Sequence, residues 1–165
     1  MRWRKIALAL GALALASPAT AQYRDFNPSP LADIYQSYND CFKVATKDGM
    51  KPETLRSLGW SRVVIGSPDK KKIEEGPILY GHATRAPVIL LSAERGEGLC
   101  IVIASLESPG SFDEFKKAWG DQLPKPDAEG VISFTAEGHV VQLRHYGPQQ
   151  EPSMSVTVVT PTESE

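Results

Sequence analysis

The sequence contains only two cysteines, Cys41 and Cys100. Whether they are joined depends on the compartment, because disulfides form and persist in oxidising environments. An even cysteine count without a C-x-x-C motif favours one structural bond over a thioredoxin-like redox pair. We therefore predict a Cys41–Cys100 disulfide in an exported chain. The alternative is two buried free thiols.

The N-terminus has the three parts of a secretory signal peptide. Basic residues occur in MRWRK, an apolar stretch follows in IALALGALALA, and SPATAQ provides small residues before a cleavage site after Ala21. The apolar stretch is too short for a membrane anchor, which must cross roughly 30 Å of hydrocarbon. We predict a signal peptide at residues 1–21, a single domain at 22–160 and a disordered tail at 161–165. The expected location is the periplasm or the extracellular medium, without stable membrane insertion after cleavage.

The net charge excludes some classes of partner. Removing the first 21 residues changes the formal net charge from −2 to −5. A mildly acidic chain lacks the broad positive field with which proteins bind nucleic acids or anionic lipids. The remaining 144 residues are long enough for one domain with its own hydrophobic core.

The first predicted helix carries one of the two cysteines. Apolar residues recur at steps of three and four over residues 31–45, which predicts a helix with one apolar face. Ser29 is its expected N-cap and Gly49 its expected stop. Cys41 falls on the apolar face, where a central strand carrying Cys100 could meet it.

Two further helices are predicted. KPETLRSLGW, at residues 51–60, predicts a short helix with a proline near its start. Ser111 and Glu114 have the spacing of a capping box for a helix that ends at Gly120.

Between the second helix and the following strands, the lysines at 70–72 predict a solvated loop. Neighbouring glutamates offset their charge, which disfavours the alternative of an anion site.

Apolar and β-branched segments predict seven strands. They are residues 61–65, 78–84, 87–93, 99–106, 131–136, 139–146 and 153–160. The strands occur in runs rather than alternating with helices, so the predicted class is α+β. We expect an antiparallel sheet of about seven strands, packed by an N-terminal helix pair and one further helix. The nearly continuous apolar character of 87–93 and 99–106 predicts central strands covered on both faces or on most of both.

No known catalytic motif occurs in the sequence. The nucleophile elbow, the phosphate-binding loop and the dinucleotide-binding glycine pattern are all absent. His139 and His145 share a face of one predicted strand, but at about 3.3 Å per residue they lie about 20 Å apart, too far for one metal ion. His82 lies on another strand. Three glutamates near a predicted hairpin are typical of a solvated loop: Glu94, Glu97 and Glu107. We predict no catalytic, cofactor or metal site.

One functional feature is left open by the sequence. Most aromatic residues have the spacing of core positions, but several strand residues do not. If these shared an exposed sheet face, they would form a binding surface. The candidates are Tyr80, His82, Phe134, His145 and Tyr146.

The layout resembles that of small exported bacterial proteins of unknown function. The shared features are a cysteine on the first helix, an LGW sequence closing a short helix, and a second cysteine in a later strand, over residues 31–106. This resemblance implies export but no activity or site. The order of helix and then antiparallel strands is also similar to that of secreted enzyme inhibitors, although a shared fold does not establish a shared function.

These observations favour a periplasmic protein that acts by binding an envelope protein or a small ligand. One alternative is an inhibitor of an exported hydrolase. A second is an enzyme of unrecognised type, in which a histidine and a carboxylate would share a pocket. A third is a structural component of the envelope, which would form oligomers without a pocket.

Overall fold

The computed structural model describes residues 27–46, 48–63, 77–94 and 97–160. The predicted signal peptide, the lysine-rich loop and the C-terminal tail lie outside these residues. The helices are α1 (Leu31–Val44), α2 (Pro52–Ser57) and α3 (Gly110–Lys116), which continues into a 3₁₀ segment, Lys117–Gln122. The strands are β1 (Ala45–Thr46), β2 (Gly49–Met50), β3 (Trp60–Arg62), β4 (Ile78–His82), β5 (Val88–Glu94), β6 (Glu97–Ser105), β7 (Val131–Ala136), β8 (His139–Tyr146) and β9 (Ser153–Val159).

Seven of these strands form one antiparallel sheet, in the order β3-β4-β5-β6-β9-β8-β7. The predicted α+β class is confirmed. The chain begins at one edge with β3 and adds β4, β5 and β6 inward. It then passes to the opposite edge, where β7 begins, and adds β8 and β9 inward until β9 pairs with β6. β6 is therefore the middle strand, with three strands on each flank.

The sheet has one face covered by helices, which we call the inner face. Its side chains come from alternate positions of every strand and are aligned by the strand register. One aligned row crosses almost the whole sheet and is buried: Tyr80, Ile89, Val102, Val156, Leu143 and Ile132. The apolar side of α1 packs on this face, where Ile34, Cys41 and Val44 are completely buried.

The predicted disulfide is present and joins α1 to the middle strand. The Cα atoms of Cys41 and Cys100 are 5.5 Å apart, within the range that a disulfide requires. Both residues have 0% exposure. The helical face and the strand parity predicted from the sequence are what bring the two sulfur atoms together.

The predicted range of the first helix, 31–45, agrees closely with α1, but the residues predicted to cap and stop it do not do so. Pro30 occupies the N-cap, and no side chain caps the helix. Ser29 is instead held by its backbone, whose N–H donates to the Ser105 carbonyl at 2.8 Å, and its buried hydroxyl has no hydrogen-bond partner. The helix ends at Val44 because the next residues form the β1–β2 hairpin, in which Gly49 has a φ of 101°. The predicted stop thus lies in the turn beyond the helix.

The predicted capping box of the third helix is also wrong. α3 begins at Gly110, so Ser111 lies inside it, and its hydroxyl accepts from the Ser108 N–H at 3.2 Å. Glu114 is paired with Lys117 rather than with the helix N-terminus. The helix start is set by the turn at Ser108, whose carbonyl accepts from the Ser111 N–H at 3.0 Å.

Candidate functional site: the outer face of the sheet

The LGW sequence is a structural junction between α1, α2 and the sheet. The Trp60 indole N–H donates to the Asp40 carboxylate at 3.0 Å, and Arg85 donates to the same oxygen at 2.7 Å. The Arg85 guanidinium also lies over the Trp60 ring, 5.4 Å from its centroid. Lys43 donates to the other Asp40 oxygen at 3.2 Å. These contacts fix α1 against β3 and the loop after β4.

The hydrogen bonds to Asp40 determine its ionisation. Burial alone would raise the pKa of this carboxyl, because it disfavours the charged form. The donors Trp60, Arg85 and Lys43 outweigh that effect and hold the pKa below its usual value. Asp40 therefore remains a carboxylate that is fully engaged in the structure.

His82 completes this junction and uses both ring nitrogens in doing so. The Thr84 backbone N–H donates to Nδ1 at 3.2 Å, so Nε2 carries the proton and donates to the Leu58 carbonyl at 3.2 Å. The ring packs edge-on against Trp60, with centroids 5.2 Å apart. Gly59 leaves room for this contact, since a Cβ there would lie 2.8 Å from Nε2. His82 thus closes the core beside the LGW sequence.

The other two histidines occupy separate places along β8. His139 is buried beside Phe42, and its Nδ1 lies 3.1 Å from the Val159 carbonyl oxygen. His145 is exposed and stacks on Phe112 of α3, with centroids 5.3 Å apart. Within the described residues, no group of three or more histidine, cysteine, aspartate or glutamate side chains could hold a metal ion. The same residues contain no helix that is both long and apolar enough to cross a membrane.

The structure does not bring the five candidate surface residues together. The strand register places Tyr80, His82, Phe134 and His145 on the inner face, and Tyr146 on the opposite face. Tyr80 is only 1% exposed, so it is a core residue. Phe134 is half-buried and packs against Trp119, with centroids 5.9 Å apart. Tyr146 is 37% exposed, and partial burial raises the pKa of its hydroxyl. Of the five, Tyr146 alone lies on the sheet face opposite the helices.

The central part of that opposite face, which we call the outer face, consists of three aligned rows of side chains. Beyond one end of these rows lie Ser105, Ser153 and Tyr146, and beyond the other end the register places Glu94 and Glu97. The middle row is Leu79, Leu90, Ile101, Thr157, Gln142 and Ser133. The row on one side is Gly81, Val88, Ile103, Ser155, Arg144 and Val131. The row on the other side is Ser92, Leu99, Val159, Val140 and Thr135. The aliphatic members on β4, β5 and β6 are half-buried, whereas their inner-face neighbours Ile89 and Val102 are completely buried.

The outer face is the less completely buried side of the central strands, which the sequence predicted to be covered on both faces or on most of both. The contacts of α1 are to β6 and β9, and the aromatic residues of α3 pack on inner-face side chains. The outer face is divided into an apolar half on β4–β6 and a half rich in hydroxyl and amide groups on β9–β8–β7. A partly exposed aliphatic surface that is bordered by polar groups is typical of an interaction surface.

The edges of the sheet are less available than its face. β3 is only three residues long. On β7, the Val131 N–H donates to the Asp127 carboxylate at 2.8 Å, and the Val131 carbonyl accepts from the Asp127 N–H at 2.9 Å. Asp127 thus occupies backbone groups with which another strand would pair.

A groove of about 480 Å³ lies between α3, the 3₁₀ segment and the connector to β7. It is an open, charged concavity lined in part by Lys116, Lys117, Asp121 and Lys125. Lys116 and Lys117 are paired with Asp113 and Glu114 of α3. These ion pairs neutralise most of the groove's charge within the chain.

No protein-family model, curated protein or solved structure matches this chain. The inference of function therefore depends on the geometry alone. The outer-face residues were missed in the sequence because the apolar runs on β5 and β6 fill both faces alike. The signal that identifies them is the change to alternating polar residues on β8, at Gln142 and Arg144.

Proposed function

We propose that this chain is an exported, non-catalytic binding protein that engages a protein partner through the outer face of its sheet. The observation that carries the proposal is the half-buried aliphatic group on β4–β6, centred on Ile101, with all described helices on the other side. A buried disulfide supports residence in an oxidising compartment. The signal-like N-terminus supports export.

The arrangement of the polar side chains supports binding over catalysis. His82 and His139 make their hydrogen bonds to backbone groups and to Thr84, and Asp40 is occupied by three donors. A general base must reach a substrate proton with a free ring nitrogen or carboxylate oxygen. Asp40 and both ring nitrogens of His82 are instead committed to holding α1, α2 and the sheet together, and His139 uses its Nδ1 within the sheet.

The test uses the mature chain, residues 22–165, immobilised and exposed to envelope extract. Ile101→Asp places a charge in the middle of the outer face, whereas the control Gln36→Glu adds the same charge on the solvent side of α1. We expect a stoichiometric protein partner, either another copy or a different chain, to bind the wild type and the control but not Ile101→Asp. Partners that bind all three baits equally would exclude the outer face as the interaction surface. An exported hydrolase among the specific partners would identify the chain as an inhibitor.

A further inference from the structure

We infer that the partner at the outer face is a second copy of this chain, packed face to face in a symmetric dimer. This inference rests on the proposed function, because it takes the outer face to be an interaction surface. It is supported by the size of the face, by the distribution of its polar groups and by the position of Arg144 in the three rows.

The area of the outer face is sufficient for a dimer. Six strands about 4.8 Å apart carry the three rows, and six residues of about 3.3 Å each span them. The face therefore measures roughly 30 by 20 Å, or about 600 Å² per copy. Two such faces bury about 1,200 Å², the lower end of the range for specific protein–protein interfaces. The aliphatic half alone would fall short of this range. The whole face, including its hydroxyl-rich half, is therefore required.

Symmetry determines how the two faces must meet. A twofold axis in the interface plane, at right angles to the strands and above the middle row, places each strand opposite the same strand of the second copy. Ile101 then faces Ile101, Leu90 faces Leu90, and Gln142 faces Gln142. An axis parallel to β6 would instead place the aliphatic half of one copy against the polar half of the other. Of these two orientations, only the first places the aliphatic half opposite the aliphatic half and the polar half opposite the polar half.

The charge on the face fits that orientation. Arg144 is the charged residue of the three rows, and it lies one row away from the axis. Each Arg144 lies two residues, or about 6.6 Å, from the axis, and the two lie on opposite sides of it. Their Cα atoms are therefore at least about 13 Å apart. That separation exceeds the Debye length of about 8 Å at physiological salt, so they do not oppose association strongly. No like charges meet in the three rows.

The low charge of the three rows also suits a second copy better than a foreign partner. The mature chain has a net charge of −5, so two copies repel each other wherever acidic surfaces meet. The three rows remove that repulsion from this one face. A partner recognised through charge would require a complementary pattern that these rows lack.

Sedimentation of the mature chain over about 1 µM to 1 mM tests the inference directly. We expect a dimer whose mass falls twofold on dilution and in Ile101→Asp, because the substitution places two carboxylates opposite each other. Gln36→Glu should retain the wild-type dimer. An equimolar mixture of Ile101→Asp and Ile101→Lys should restore a one-to-one dimer, since the geometry brings their opposite charges together. This restored heterodimer also shows that both variants fold.

The remaining outcomes overturn the inference in distinguishable ways. A wild type that stays monomeric at the highest concentration excludes the second copy. If that monomer still binds a different protein that Ile101→Asp cannot bind, the proposed function survives without this inference. If it binds nothing through the face, both fail. A dimer that tolerates Ile101→Asp uses another surface, and a mixture that does not pair excludes the twofold axis above Ile101.

Discussion

Removing the Cys41–Cys100 crosslink tests how much the disulfide contributes to stability. The bond closes a loop whose ends are 59 residues apart. In the chain-entropy model a loop of this length restricts the unfolded chain by about 4 kcal/mol. For a domain of about 140 residues, at about 3 °C per kcal/mol, the crosslink corresponds to about 12 °C in Tm.

Reduced wild-type protein isolates this contribution, because it retains both sulfur atoms in the core. Both cysteines are fully buried, so reduction has to be carried out in denaturant before refolding. The double variant Cys41→Ala/Cys100→Ala should lose a further 1–2 kcal/mol or so, since each truncation removes a buried atom. Urea denaturation followed by circular dichroism, with and without reductant, gives all three free energies of unfolding.

A loss of less than about 1 kcal/mol in the reduced wild type would refute the reasoning. Such a result would mean that the unfolded chain is already restricted without the crosslink, or that the native bond costs what the loop closure gains. Agreement between the reduced wild type and the double variant would show that the sulfur atoms themselves contribute little to packing.

Three further predictions concern single residues, each measured by urea denaturation. Asp40→Asn should cost about 2 kcal/mol at pH 7, because it leaves Arg85 without its buried carboxylate. Since the folded pKa of Asp40 lies below the unfolded value, its contribution is present above about pH 4 and is lost as the pH falls further. The variant and the wild type should therefore converge in acid, and a constant difference down to pH 2 would contradict this. Gly59→Ala should cost about 1–3 kcal/mol, because the residue has a φ of 91° and its Cβ would meet the His82 ring. When Gly59→Ala is added to His82→Ala, the loss of stability should be smaller, because only the cost of the backbone conformation remains. An equal loss in both backgrounds would exclude the contact with the ring as a cause. Ser29→Ala should change stability by less than about 0.5 kcal/mol, since the buried hydroxyl has no partner, whereas a loss above 1 kcal/mol would indicate a bond that the structure does not contain.

The sheet and the disulfide were predictable because they depend on periodicity. Alternation along β8 and β9 fixes which residues face the helices, and the helical spacing of α1 turns Cys41 toward the same side. Once a single pair of cysteines lies on facing elements, the bond between them follows. The order of the strands in the sheet was not predictable, because no feature of the sequence indicates that β9 pairs with β6.

The lower burial of the outer face was not predictable from the sequence, and β5 shows why. Val88 and Leu90 on the outer face have the same apolar character as Ile89 and Leu91 on the inner face. An apolar run of this kind is equally consistent with burial on both sides and with one side left for a partner. The caps failed for a different reason. Ser29 has the sequence of an N-cap, but its backbone bond to Ser105 places the residue against the sheet instead.

The position of β9 has a consequence for how the chain folds during synthesis. Of the described strands, β9 comes last in the sequence, and it is hydrogen-bonded to β6 on one side and to β8 on the other. Until residues 153–159 have emerged, the β3–β6 portion and the β7–β8 hairpin have no strand between them to join them into one sheet. The complete seven-stranded sheet therefore cannot form before residues 153–159 have been synthesised, and the two portions that β9 joins can pack together only after that step.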